Sequence, residues 1–325
     1  MTAPVANDSA PAVLVARTLL PAGRDRLAER CEIREGGLEV GREDLLALAP
    51  GVDAIVADPS VQVDEALLDA AGKGLRIVAN FAVGYDNVDL DACRRRGIPV
   101  SNTPGVLTNA TAELALALTL AAARRVGEAE AGLRAGRWHG WDPGDLLGLE
   151  LSGATFGVVG MGRIGRRYAE LVAAFEGRIF YSSPRPKPAV ENELGASRAP
   201  IDELLGHADV VSLHALATTE TVGLIGAREL EAMKPHAVLV NTARGSLVDS
   251  AALARALREG TIGGAGLDVY AHEPEVPKEL LEAPRCVLLP HIGSATTKAR
   301  DAMAALVADN VLAALDGAEP PNRVI

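Results

Sequence analysis

Cysteine is scarce in this chain, and the few cysteines that occur are not paired. Cys31, Cys93 and Cys286 lie far apart and have no spacing typical of metal ligands. Structural disulfides belong mainly to oxidising compartments, so we interpret these residues as reduced, mostly packed thiols of a cytoplasmic protein. No metal site is predicted.

An excess of basic charge is also missing. Acidic residues outnumber basic ones and the net charge is −11 at pH 7. Such a protein has no global positive field that would attract nucleic acid or an anionic membrane surface. We therefore expect small molecules or further copies of this chain as partners, and neither nucleic acid nor a membrane.

Long apolar stretches are absent as well. No run approaches the roughly 20 residues that a membrane-spanning helix needs. Residues 1–12 are small and polar, without the basic end and apolar core of a signal peptide. The sequence therefore predicts a soluble protein with a frayed N-terminus.

Short apolar runs alternate with helical stretches along most of the chain, whose 325 residues correspond to about two domains. This alternation predicts parallel sheets covered by helices on both faces. Predicted strands are 13–16, 54–57, 76–79 and 98–100, followed by 156–159, 178–181, 210–213, 237–241, 264–269 and 287–289. Predicted helices include 20–30, 42–48, 64–71, 89–96, 166–175 and 296–315.

A glycine-rich turn follows the predicted strand at 156–159. It reads Gly160-Met161-Gly162-Arg163-Ile164-Gly165 and leads into a helical stretch and then a second strand. In such a turn the first glycine permits the bend, the second lets the backbone approach a pyrophosphate, and the third lets helix pack on strand. The helix N-terminus stabilises the phosphate charge. We therefore predict a dinucleotide-binding domain.

The order of elements predicts an α/β fold with two doubly wound, Rossmann-like parallel-sheet domains, one inserted into the other. Residues 1–104 would form the first part of the substrate domain. Residues 105–290 would form the NAD(P)-binding domain, and 291–325 the C-terminal return helix of the substrate domain. We expect the active site in the cleft between the domains, at the carboxyl ends of the strands.

A long Ala/Leu-rich helix is predicted over 108–126, with a possible capping box at its start. It is apolar nearly all round. A helix of that kind must be buried, either between domains or against a second subunit.

Three segments at predicted strand ends carry the candidate chemistry, through Arg244, Glu273 and His291. A guanidinium can bind a carboxylate bidentately and polarise the neighbouring carbonyl. Histidine can donate a proton near neutral pH, and a carboxylate on its other nitrogen fixes its tautomer. Each residue alone has a structural explanation, but their order and spacing favour reduction of a 2-oxo acid. The other histidines are interpreted as structural or solvated, with His214 the first to reconsider.

With these segments in place, the chain resembles the D-2-hydroxyacid dehydrogenase family, and most closely its glyoxylate/hydroxypyruvate reductase branch. The segments that carry the resemblance are 80–87, 103–108, 160–165, 241–245, 268–274 and 290–296, which together span nearly the whole chain.

The resemblance implies roles for individual residues. Arg244, Glu273 and His291 match the catalytic trio, with His291 as proton donor and Glu273 as its partner. Val83 and Gly84 match the backbone amides that hold the substrate carboxylate, with Arg244 and His291 also contacting the substrate. Asp268 matches the acid that orients the nicotinamide carboxamide, and Thr242, Ala243 and Gly293 match further cofactor positions. Trp141 resembles a tryptophan that reaches the neighbouring subunit's pocket, although a packed interface tryptophan explains it equally well.

One departure from the usual NAD pattern concerns the segment after the strand at 178–181. An acidic residue normally accepts the ribose hydroxyls there. This chain instead has Ser182-Ser183-Pro184-Arg185-Pro186-Lys187. Ser182, Ser183 and Arg185 would suit a 2′-phosphate, so we predict NADP as cofactor; a loop that tolerates either NADP or NAD is the alternative.

The sequence therefore predicts a homodimeric, NADPH-dependent reductase of small 2-oxo acids such as glyoxylate or hydroxypyruvate. Alternatives are a reductase of a bulkier 2-oxo acid such as hydroxyphenylpyruvate, or an NAD-linked phosphoglycerate dehydrogenase. A different class, a nucleotide-sensing corepressor that acts by binding partners, also stays open because such proteins can retain the trio.

Overall fold

The computed structural model describes residues 10–325, so most of the predicted frayed N-terminus lies outside the described residues. The chain forms two compact units. Among the described residues, the first unit, called here the split unit, comprises 10–107 together with Ala295–Ile325; the second, the inserted unit, comprises Thr108–Ser294. Residues 105–107 thus belong to the split unit and 291–294 to the inserted unit, unlike the domain limits expected from the sequence.

The split unit contains a five-stranded parallel sheet in the order β2-β1-β3-β4-β5. Its strands are β1 (Ala12–Val15), β2 (Glu32–Glu35), β3 (Ala54–Ala57), β4 (Ile77–Asn80) and β5 (Val100–Ser101). Its helices are α1 (Pro21–Ala28), α2 (Arg42–Leu48), α3 (Glu65–Ala71), α4 (Leu90–Arg96) and, at the C-terminus, α13 (Thr297–Leu315).

Local sequence explains these elements. β1, β3 and β4 are fully buried, as expected for strands covered on both faces. Asp64 and Asp89 cap α3 and α4, with side chains that accept from the Leu67 and Ala92 N–H groups at 3.0 and 2.8 Å. Helix α13 packs on α1 so closely that a Cβ on Gly23 would lie 2.2 Å from the Ala304 carbonyl oxygen.

The inserted unit contains a seven-stranded parallel sheet in the order β12-β11-β10-β9-β6-β7-β8. Its strands are β6 (Thr155–Val159), β7 (Arg178–Ser182), β8 (Ser197–Arg198), β9 (Val210–Leu213), β10 (Val238–Asn241), β11 (Gly264–Leu267) and β12 (Cys286–Leu288). Its helices are α5 (Thr108–Ala123), α6 (Val126–Arg134), α7 (Arg163–Val172), α8 (Pro188–Leu194), α9 (Ile201–His207), α10 (Ala227–Ala232), α11 (Ser250–Glu259) and α12 (Lys278–Leu281).

The strand order reverses at β6, which pairs with β7 on one side and β9 on the other. In doubly wound sheets a ligand binds outside the carboxyl ends of the strands at such a reversal. The glycine-rich turn directly follows β6, so the predicted nucleotide site lies at this position of the fold. The predicted fold class, two parallel-sheet α/β domains with one inserted, is confirmed.

The long apolar helix is shorter than the sequence suggests. It ends at Ala123 because Arg125 adopts a left-handed backbone (φ 53°), and α6 begins at Val126. Its buried face, including Thr111, Ala115 and Leu118, packs on β10 and β11 within the same unit. Burial of this face therefore requires neither a second domain nor a second subunit.

The three cysteines are free thiols, with Cys31 and Cys93 buried and Cys286 partly buried. Burial raises the pKa of the Cys93 thiol to about 11. Over residues 10–325, no helix has both the length and the apolar character needed to cross a membrane. The same residues contain no group of three or more metal-ligating side chains suited to a metal ion.

Candidate active site

The turn between β6 and α7 has the backbone that a dinucleotide requires. Gly160 has a φ of 96°, and a Cβ there would lie 2.5 Å from the Ala215 backbone nitrogen. A Cβ on Gly165 would lie 2.1 Å from the Gly160 carbonyl oxygen, so only glycine lets the helix sit this close to the strand. A Cβ on Gly162 would meet no atom within 4 Å. The open space at Gly162, beside the N-terminus of α7, fits a pyrophosphate.

The loop after β7 contains the residues predicted to bind a 2′-phosphate. The Ser182 carbonyl accepts from the Gly160 N–H at 2.8 Å, which ties this loop to the glycine turn. Ser182 and Ser183 are partly exposed, whereas Arg185 is exposed. The buried Tyr181 hydroxyl accepts from the Lys187 N–H at 2.7 Å and donates to Glu191.

Arg198, which the sequence interpretation did not single out, also contacts this loop. Its guanidinium donates to the Ser183 and Pro184 carbonyls at 3.1 and 3.0 Å. A second positive charge therefore lies beside the loop. Because Arg198 comes 13 residues after Arg185 on a strand of only two residues, its position could not be read from local sequence.

A buried asparagine organises the loop that carries Arg244. Asn241, the last residue of β10, donates to the Arg244 carbonyl at 2.8 Å and accepts from the Ala243 N–H at 3.0 Å. The Arg244 guanidinium donates to the Ala243 carbonyl at 2.8 Å. Gly245 fits against the Tyr270 backbone, from which a Cβ would be only 1.9 Å. The arginine loop thus lies beside the segment that carries Glu273.

Thr242 lies in the same loop and is 8% exposed. Its hydroxyl is buried, yet it has no hydrogen-bond partner within residues 10–325. A buried hydroxyl without a partner is costly unless a ligand completes it. This observation fits the predicted cofactor contact at Thr242.

Glu273 and His291 form a hydrogen-bonded pair. The His291 Nδ1 lies 2.6 Å from Glu273 Oε2, and Glu273 Oε1 accepts from the Tyr270 N–H at 2.9 Å. Burial alone would raise the pKa of Glu273, but the hydrogen bonds from His291 and Tyr270 and the charge of Arg244 lower it below its ordinary value. The carboxylate is therefore ionised at neutral pH and fixes the Nδ1–H tautomer of His291. Nε2 of His291 has no partner in the described part of the chain, so this nitrogen is available to carry and donate a proton when the ring is protonated.

Asp268, directly after β11, is completely buried and holds the His291 loop. Its two carboxylate oxygens accept from the Ile292 and Gly293 N–H groups, both at 2.7 Å. Its carbonyl accepts from the His291 N–H at 2.9 Å. Burial raises the pKa of Asp268, while the two backbone donors oppose the rise. These bonds place His291 in the inserted unit, not in the C-terminal segment where the sequence interpretation put it.

His214, the histidine outside the trio for which the sequence left a functional role most open, is buried among polar side chains. Its Nε2 lies 2.9 Å from the Ser212 hydroxyl, and its ring packs on Tyr168 with centroids 5.1 Å apart. Burial lowers the pKa of His214 to about 3, so its imidazole is neutral. The glycine turn packs against its backbone. These contacts describe a residue that supports the turn.

Three further residues predicted to bind substrate, Trp141, Val83 and Gly84, are distant in sequence from Arg244, Glu273 and His291. Trp141 follows α6 and is 85% exposed, and no hydrogen bond or ring contact joins it to another described residue. Val83 and Gly84 belong to the split unit, in the loop after β4. Their roles toward substrate stay predictions.

Comparison with known proteins identifies the family. Residues 116–293 match the model of the D-isomer specific 2-hydroxyacid dehydrogenase NAD binding domain. The chain is 50% identical over 284 residues to a glyoxylate reductase of Thermococcus litoralis, covering 86% of each protein.

Solved structures agree. The TT0316 protein from Thermus thermophilus superposes with a TM-score of 0.90 at 48% identity, over 97% of this chain and 100% of that one. An NADPH-dependent glyoxylate/hydroxypyruvate reductase from Sinorhizobium meliloti, in complex with NADP and malonate, superposes with a TM-score of 0.85 at 38% identity, over 97% of each chain. The chain therefore belongs to the D-isomer-specific 2-hydroxyacid dehydrogenase family, as its sequence motifs predict, and is a nicotinamide-dependent oxidoreductase.

Proposed function

We propose that this chain is an NADPH-dependent reductase of small 2-oxo acids, with glyoxylate and hydroxypyruvate as substrates, that acts in the cytoplasm. The observation that carries the proposal is the 2.6 Å pair of His291 Nδ1 and Glu273 Oε2 beside the loop of Arg244. The relatives named glyoxylate reductase support the same substrate class.

Each residue of the trio has a distinct part in this reaction. The bound nicotinamide supplies a hydride to the substrate's C2. Arg244 binds the substrate carboxylate and polarises the adjacent carbonyl. His291 donates a proton from Nε2 to the carbonyl oxygen. Glu273 accepts the Nδ1–H and stabilises the protonated ring.

The dinucleotide would lie on the glycine turn at 160–165, with the Thr242 hydroxyl and Asp268 as further contacts. Preference for NADPH over NADH rests on Ser182, Ser183 and Arg185, where no carboxylate would repel a 2′-phosphate. Arg198 adds positive charge at the same loop.

Oxidation of NADPH, followed with glyoxylate, hydroxypyruvate, pyruvate and phenylpyruvate and repeated with NADH, tests this function. Fastest turnover of glyoxylate or hydroxypyruvate with NADPH is expected. Preference for phenylpyruvate would favour the bulkier substrate class. Tight nucleotide binding with negligible turnover of every acid would overturn the proposal in favour of a nucleotide sensor.

Glu273→Gln is expected to lower kcat for glyoxylate reduction about tenfold or more. The neutral amide can no longer fix the Nδ1–H tautomer of His291 or balance the positive charge on a ring that donates its proton from Nε2. Steady-state kinetics at neutral pH measure the loss, and the Kd of NADPH serves as control. An unchanged kcat would contradict the role of Glu273.

We also propose that the protein is a homodimer. The segment from α6 onward exposes large apolar side chains, namely Val126, Leu133, Trp138, Trp141 and Leu147 at 50–85% exposure. An exposed set of this size is typical of an interaction surface. Light scattering at micromolar concentration is expected to give twice the chain mass, with an interface in the obligate class of about 2,000 Å² or more. A monomeric mass would refute the dimer.

A further inference from the structure

The loop after β4, residues 81–87, is held on its carbonyl side by a set of donors within the split unit. The Ala82 carbonyl accepts from the Thr103 N–H at 2.9 Å. The Val83 carbonyl accepts from Asn102 Nδ2 at 2.8 Å, and the Gly84 carbonyl from Asn80 Nδ2 at 2.8 Å. Three consecutive carbonyls therefore have fixed partners.

Two N–H groups of the same loop have no hydrogen-bond acceptor among the described residues. Within residues 10–325, the N–H groups of Val83 and Gly84 donate to no other group. In a planar trans peptide the C=O and N–H point to opposite sides. The Val83 carbonyl and the Gly84 N–H belong to one peptide, so Asn102, which holds that carbonyl, makes the Gly84 N–H point away from Asn102. The Ala82 carbonyl and the Val83 N–H belong to the preceding peptide, so the Thr103 bond makes the Val83 N–H point away from Thr103.

Asn80 is built to keep this loop in one shape. It is the last residue of β4 and is completely buried. Besides the Gly84 carbonyl, its Nδ2 donates to Asn87 Oδ1 at 3.0 Å, and its Oδ1 accepts from Asn87 Nδ2 at 3.1 Å. Asn87 in turn donates to the Asp58 and Val61 carbonyls at 3.0 and 2.9 Å. The two amides thus close the loop at both ends, and every hydrogen of the Asn80 amide is used.

We propose that Asn102 and Asn80 are positioning residues for the substrate carboxylate. Asn102 holds the Val83 carbonyl and so turns the Gly84 N–H outward, while Asn80 holds the Gly84 carbonyl of the next peptide and keeps the loop in one shape, so that its free N–H edge is presented as a preformed anion site. The inference rests on the proposed function and on the role that the family resemblance implies for Val83 and Gly84, whose backbone N–H groups would bind the carboxylate of a 2-oxo acid together with Arg244. Donors fixed before the substrate arrives need no reorganisation when it binds, so loss of either amide weakens substrate binding.

Asn102 gives the cleaner test because it is only partly buried, whereas a change at Asn80 opens a buried network. Asn102→Ala removes one donor, and Asn102→Asp keeps the size but replaces the donor with a negative charge. We expect the KM for glyoxylate to rise about 3- to 10-fold in Asn102→Ala and more than about tenfold in Asn102→Asp. The inhibition constant of oxamate, an unreactive 2-oxo acid analogue, should rise in parallel. Changes in kcat and in the Kd of NADPH should stay within about twofold.

Arg34→Ala is the matched control. Arg34 also holds backbone carbonyls in the split unit, those of Leu48 at the end of α2 and of Pro50, but it has no hydrogen bond with residues 81–87. Its KM for glyoxylate should stay at the parental value even if its melting temperature falls.

The outcomes separate the two proposals. If the parent reduces glyoxylate and both Asn102 variants keep its KM and oxamate affinity, the positioning role is wrong and the proposed function stands. Equal rises in KM for Arg34→Ala and the Asn102 variants would also overturn the positioning role, because general loosening would then explain them. If the parent neither reduces a 2-oxo acid nor binds oxamate, the proposed function falls and the positioning role falls with it.

Discussion

His291→Ala is expected to lower kcat for glyoxylate reduction about 10²- to 10⁴-fold, the range in which a positioned general acid contributes. In the proposed mechanism the proton leaves from His291 Nε2, which has no partner among the described residues, while Nδ1 is hydrogen-bonded to Glu273. Alanine keeps the backbone and removes the proton source. Nucleotide affinity should change little, because the glycine turn and the loop after β7 do not depend on this side chain.

The measurement is steady-state kinetics at neutral pH, with nucleotide binding followed separately by fluorescence. His272→Ala is the matched control, since His272 lies next to Glu273 but is exposed and has no ring partner within the described chain. It should retain nearly parental kcat. Near-normal turnover of His291→Ala would remove this residue from the donor role.

Replacing Ser182 with Asp and Arg185 with Ala is expected to reverse cofactor preference. A charge-assisted hydrogen bond to a 2′-phosphate contributes roughly 1.5–3 kcal/mol, which corresponds to a preference for NADPH of about ten- to hundred-fold in the parent. A carboxylate at position 182 would repel the phosphate and accept the ribose hydroxyls. The loss for NADPH should exceed the gain for NADH, because a neutral hydroxyl pair binds less strongly than a phosphate.

The ratio of kcat/KM for NADPH to that for NADH, in parent and double variant, measures this prediction. Arg178→Ala is the control: it removes a positive charge at the opposite end of β7. Its ratio should equal that of the parent. A parent that already prefers NADH would show that the loop at 182–187 does not select the cofactor, and the phosphate-binding role of Arg185 would be withdrawn.

Strands that are buried on both faces could be predicted from the sequence almost to the residue. The predicted ranges 54–57 and 210–213 coincide with β3 and β9, whose residues are all buried and mostly apolar. β2 and β8 were missed because they are polar or very short edge strands, without an apolar run to mark them. The break after Ala123 was missed because a left-handed arginine, and not a glycine or proline, ends the helix there.

The sequence indicated part of the candidate site, because apolar strands are easy to recognise and the candidate residues follow them closely. Strand ends point to Arg244, Glu273 and His291, because chemistry in a parallel sheet collects at the carboxyl edge. The residues that hold the loops were harder to find. Asn80 and Asn241 end apolar strands, but a single asparagine at that position is equally typical of an ordinary turn. Only the folded chain shows which carbonyl each amide holds.

The backbone of His291 has a consequence for the durability of the enzyme. Its φ of 54° lies in the left-handed region, where a residue with a Cβ is destabilised by about 1–2 kcal/mol relative to its usual conformation. Glycine would avoid most of this cost but could not donate a proton. The two N–H bonds to Asp268 offset part of it. Substitutions that relieve this strain would therefore raise the melting temperature but would remove the residue that we propose as proton donor.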